Sequence, residues 1–163
     1  MPSAVSEHLG SRQFSRLIYG AIVGLAVIVA LEHEEPRAGV MAATLVGTGV
    51  AVALIELYSE FLGTEVEARR RVDREPFREL AANAVAVIVG ASVPAIFFVL
   101  AAAGAMEIDT AFEVAKWSGL PLTAFYGFCA GRLRGESVPA ALFQAAVVAL
   151  IGGFLIALKA LLH

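Results

Sequence analysis

The chain has 163 residues, 59% of them hydrophobic and 17% charged, with a formal net charge of −3 and a mean hydropathy of +0.79. A soluble domain is about 45–50% apolar and about 25% charged, and a molecule this small leaves too much surface in water to hide the excess. A soluble enzyme, a disordered chain and a nucleic-acid-binding module are thereby excluded, and an integral membrane protein remains.

Five apolar runs follow in chain order: Phe14–Leu31, Ala38–Leu62, Leu80–Gly104, Ala111–Ala130 and Val138–Leu162. Each is close to the roughly 20 helical residues that cross a hydrocarbon core of about 30 Å. The runs are continuous and lack the alternation of barrel strands, so the expected fold is all-α: a five-helix transmembrane bundle in one domain over residues 1–163. Ile28-Val29-Ala30 has no small-x-small cleavage pattern, so the first run reads as an uncleaved helix and not as a signal peptide.

Small residues recur at helical spacing. Gly20 and Gly24 form a GxxxG on the first run, which allows close backbone approach, either to another helix of the bundle or to a second copy in a homodimer. Ala82, Ala86, Gly90 and Pro94 form a row on the third, and Ala141, Ala145, Ala149 and Gly153 on the fifth. Pro94 and Pro121 sit inside the third and fourth runs, where a missing backbone donor favours a kink.

Charge between the runs sets the expected orientation. Arg12, Arg16, Arg69, Arg70, Arg71, Arg74, Arg78, Arg132 and Arg134 fall on one side, against Arg37, Lys116 and Lys159 on the other. The positive-inside rule then puts the N-terminus in the cytoplasm and the C-terminus outside or in a lumen.

Glu56 and Glu60 lie within the second run, one helical turn apart, with Thr44, Thr48 and Ser59 on a broad arc of the same helix. A carboxylate in a span is a functional candidate because its burial is costly. Two such groups can hold a divalent cation through hard oxygen ligands or exchange it for protons. The alternatives are that either side chain reaches the membrane interface or forms an ion pair with Arg132 or Arg134 in the adjacent loop. Beyond them, Glu65–Arg69 and Glu67–Arg71 are favourable i,i+4 pairs that would carry the second helix into the cytosol. They form either a solvated extension or an acidic funnel for cations.

Glu32-His33-Glu34-Glu35 looks like a metal-ligand cluster but reads more simply as a polar loop before Pro36, with no second histidine in HExxH register. His8, His33 and His163 all lie outside the runs, which removes an intramembrane bis-histidine haem site. The single cysteine, Cys129, excludes a disulfide framework within the chain. Cys129 and Gln144 are explained by packing, and Lys159 can snorkel. No nucleophile–base constellation is present, so no enzymatic activity is expected.

This layout resembles the vacuolar iron transporter family. Ile18-Tyr19-Gly20-Ala21-Ile22-Val23-Gly24-Leu25 is similar to the family's first-helix pattern FGxxDGL, and Ser59-Glu60-Phe61-Leu62 to the GEYL that closes its second helix. Gly90-Ala91-Ser92-Val93-Pro94 resembles a glycine-to-proline stretch of its third helix, and Gly131-Arg132-Leu133-Arg134-Gly135 the turn before its last. Val23 stands where the family has aspartate and Glu56 where it has methionine. The connection after the second run is too short for the family's cytosolic metal-binding domain.

The resemblance implies a short family member: a homodimeric exporter of iron or manganese from the cytosol, proton-coupled, with Glu56 and Glu60 as metal ligands and Glu65 and Glu67 drawing the ion in. The metal is cargo, and no permanently bound cofactor is expected. The lipid bilayer and a second copy are the expected partners, and a multi-pass position in a prokaryotic-type inner membrane the expected location. The alternative is a non-transporting scaffold or accessory subunit that keeps the packing without the aspartate.

Overall fold

In the computed structural model, residues 4–34, 36–68 and 74–162 are described, with side chains over 14–34, 36–63 and 81–158 and at Leu161. The described residues contain helices and no strand. They form α1 (Ala4–Leu31), a single 3-10 turn (Glu32–Glu34), α2 (Ala38–Ala68), α3 (Arg74–Ser92), α4 (Ala95–Ala102), α5 (Ile108–Leu133) and α6 (Val138–Leu162). Helices are the form that satisfies every backbone polar group internally in lipid. The backbone of α2 runs beyond Leu62 to Ala68, as the charge pairs there predict.

Three helices hold segments long and apolar enough to cross a membrane: Phe14–Glu34, Ala38–Gly63 and Val138–Leu158. A fourth candidate is the pair Ala81–Ser92 and Ala95–Ala102, bent by 50° at the break between them. The fourth apolar run, Ala111–Ala130, folds as part of α5 but is not among these segments. Glu113, Lys116, Trp117 and Pro121 dilute its hydropathy.

The α3–α4 break has a plain cause. Pro94 has no N–H to continue the ladder. After Val93 N donates to Val89 O at 3.0 Å, the chain tightens to i→i+3 bonds, Ile96 N to Val93 O at 3.4 Å and Phe97 N to Pro94 O at 3.2 Å. The Ser92 hydroxyl at the break is buried and makes no hydrogen bond. α5, by contrast, runs unbroken through Pro121.

α1 is the central helix, touching α2, α3, α5 and α6, while α2 lies on α3 and α4, and α5 on α4 and α6. Its contact with α3 is backbone on backbone. A Cβ at Gly20 would collide with the Val87 carbonyl oxygen, one at Gly90 with the Leu17 carbonyl oxygen, and one at Gly24 would lie 2.8 Å from Ala91 O. Gly127 and Gly131 play the same part between α5 and α6, against Ala145 and Ala141.

Near the C-terminal end of α1, larger side chains fill the interior. Ile28, Met41, Leu45, Phe98 and Phe112 are buried in one cluster, with the Phe98 and Phe112 rings edge to face at 4.8 Å. The periphery is apolar instead of polar: Leu54, Ile55, Phe143, Leu150 and Phe154 are all exposed, the pattern of a surface made for lipid.

Candidate functional site

Glu56 and Glu60 project from successive turns of α2 toward the N-terminal part of α1. Both carboxylates are ion-paired to the same group, the guanidinium of Arg16, with Nη1 on Glu56 and Nη2 on Glu60. The planar fork of an arginine presents its two terminal nitrogens side by side, which suits two acceptors one turn apart. Two carboxylates thus share one guanidinium. Side-chain exposures of 26% for Arg16, 22% for Glu56 and 33% for Glu60 place it at the edge of the bundle and not in its sealed interior.

The partner is therefore neither Arg132 nor Arg134. Those side chains serve the turn between α5 and α6, where Gly135 takes the positive φ that the turn needs. Arg132 Nη1 donates to Glu136 O at 2.6 Å. Arg134 pairs with Glu136 at 2.9 Å and also donates to the Gln144 side chain. Thr44 Oγ1 donates to Val40 O at 2.9 Å, one turn back on its own helix. Val23 is half-buried on α1 and offers no ligand atom.

Glu65 and Glu67 sit on the last turns of α2, outside the residues whose side chains are described, as do Arg74 and Arg78 of α3. Arg69, Arg70 and Arg71 lie outside the described residues altogether. Among the described residues, no three His, Cys, Asp or Glu side chains come together as a metal-binding group. Gly20 and Gly24 face α3 of the same chain, so a second copy would have to dock on another face of the bundle.

A second charged cluster lies at the other end of α1. Lys116 of α5, only 8% exposed, donates to Glu32 just past α1 at 2.5 Å and to Glu113 one turn back at 2.8 Å. The Trp117 indole N–H donates to the other Glu113 oxygen at 2.8 Å. The sequence held a signal for this cluster: Glu113, Lys116 and Trp117 interrupt the fourth apolar run at i, i+3 and i+4 spacing, all on one helix face.

Comparison with protein-family models, with curated proteins and with solved structures finds no match to this chain.

Proposed function

We propose that the chain is a small membrane transporter of divalent cations of the iron and manganese class. In this reading the helices cross the bilayer five times, with the broken α3–α4 pair as one crossing, α5 as another and the N-terminus in the cytoplasm. Glu56 and Glu60 bind the ion, and Arg16 fills their place between ions. The observation that supports this is the convergence of both carboxylates on one cation. Side chains arranged to share a guanidinium are already arranged to share a metal ion or a pair of protons, and hard oxygen ligands suit manganese and ferrous iron. A homodimer and export coupled to protons extend the same proposal, through carboxylates whose protonation depends on metal occupancy.

A second reading, a non-transporting membrane scaffold or accessory subunit, has its own support. Arg16 already compensates the carboxylates, Val23 supplies no ligand, and the described residues contain no group of three metal ligands. On this reading the triad only fixes α1 to α2.

Uptake of ferrous iron, manganese and cobalt into proteoliposomes separates the two. Flux through the native protein that disappears in Glu56→Gln/Glu60→Gln, with folding unchanged, establishes the transporter. Absence of flux from folded protein, with and without a pH gradient, establishes the scaffold.

A further inference from the structure

We propose that Lys116 and Glu32 form the closure of the bundle at the end of α1 opposite Arg16. This inference rests on the transport reading for its purpose but is tested separately from it. Three observations carry it.

The first is the asymmetry of burial along α1. At the Arg16 end the carboxylates are partly open to the surroundings. At the Glu32 end, Ile28, Met41, Leu45 and Phe98 have no accessible surface at all. An ion resting at Glu56 and Glu60 meets an apolar wall in that direction, so passage requires this end to part.

The second is the position of the ion pair. Ala111, Phe112 and Ala115 of α5 are part of the apolar wall, as is Ile28 of α1. Lys116 directly follows Ala115 on α5, Glu32 lies one turn past Ile28 in the 3-10 turn that continues α1, and their bond ties α5 to the end of α1 at the margin of the wall. Glu113 steadies the ammonium from the same helix, and Trp117 steadies Glu113. Lys116 is thus aimed at Glu32 by its own helix, while little of it remains in contact with solvent.

The third is the role of α1 as the element common to both clusters. It is tied to α2 through Arg16 at one end and to α5 through Glu32 at the other. Between them lie Gly20 and Gly24, where its backbone rests against α3 without interlocking side chains. Arg16 and Glu32 are separated by about 24 Å at about 1.5 Å per residue, so a small tilt about the glycine contact moves the Glu32 end several ångströms. Loss of the Lys116–Glu32 bond removes a polar tie that resists this tilt.

The test uses a Cys129→Ser background carrying Ala111→Cys in the wall, reconstituted in proteoliposomes and treated with a membrane-impermeant maleimide. With Lys116 and Glu32 intact, labelling is slow. Lys116→Met and Glu32→Gln each accelerate it at least tenfold, while Lys116→Arg, which keeps the charge, leaves it slow. Two independent neutralising variants guard against misfolding of either one. Slow labelling of both folded neutral variants overturns the proposal, and so does fast labelling of Lys116→Arg, which would assign the effect to packing and not to the ion pair. Acceleration in the neutral variants of a protein that carries no metal flux would uphold the closure and sink the transport reading alone.

Discussion

Arg16 and Glu56 join the first and second helices across the edge of the bundle, and the same arginine holds Glu60 one turn farther on. The arrangement gives one guanidinium two acceptors on successive turns of α2. Removal of the arginine therefore differs in kind from removal of either acid.

Arg16→Gln removes the guanidinium that Glu56 and Glu60 share. The cost is about 1–2 kcal/mol, below the roughly 3–5 kcal/mol for a fully buried pair, because solvent screens groups this exposed. Thermal unfolding in detergent should show a lower midpoint for Arg16→Gln and recovery in Arg16→Gln/Glu56→Gln/Glu60→Gln. An unchanged midpoint for the single variant would mean that the triad contributes nothing to holding α1 on α2.

Gly20→Leu should be far more damaging than Gly47→Ala or Gly153→Ala. The first drives a side chain into the Val87 backbone, whereas Cβ atoms at Gly47 and Gly153 meet nothing within 4 Å. Overpacking costs about 1–3 kcal/mol. Alanine at an open helical glycine is neutral or stabilising by up to about 1 kcal/mol. Unfolding midpoints of the three variants, read side by side, check the ranking.

Phe98→Ala empties the centre of the wall, where Phe98 is fully buried against the Phe112 ring. The expected loss is about 3 kcal/mol, the low end for such truncations. Lipid is no less apolar than this interior, so the cost comes from the cavity and the lost ring contact. Phe143→Ala, on an exposed face, should shift the midpoint little.

The number of crossings is open to direct measurement. In a Cys129→Ser background, Ala105→Cys before α5 and Ser137→Cys after it should react with an impermeant maleimide from opposite sides of the membrane. Reaction from the same side would mean that α5 does not cross, and that four crossings at most remain.

Much of this architecture is legible in the chain because lipid imposes a simple rule on it. The runs that became α1, α2 and α6 stand out by length and hydropathy. Pro94 marks the place where α3 gives way to α4, since a missing donor favours a break, although Pro121 lacks the same donor and leaves α5 continuous. Glu56 and Glu60 are conspicuous as charge in an apolar run. Their partner was not legible. A sequence gives the depth of each residue along its own helix, yet not which helices lie side by side. Arg132 and Arg134 are at the right depth, but they turn to Glu136 and Gln144, while Arg16, on the same side of the membrane by charge counting, takes the carboxylates. Lys116 reads as a charge of the opposite side, and only its contact with Glu32, far away in the chain, reveals its place in the interior.

The central position of α1 has a consequence for how the molecule is built. This helix leaves the ribosome before α2 to α6, yet Arg16 within it and Glu32 just past it are matched by residues made later: Glu56 and Glu60 for Arg16, the latter 44 residues on, and Lys116 for Glu32, 84 residues on. At about 5–20 residues per second of synthesis, Glu32 waits about 4–17 s for its ammonium. During that interval α1 must be held by the insertion machinery or linger near the headgroups, and the bundle cannot take its final form before α5 is delivered.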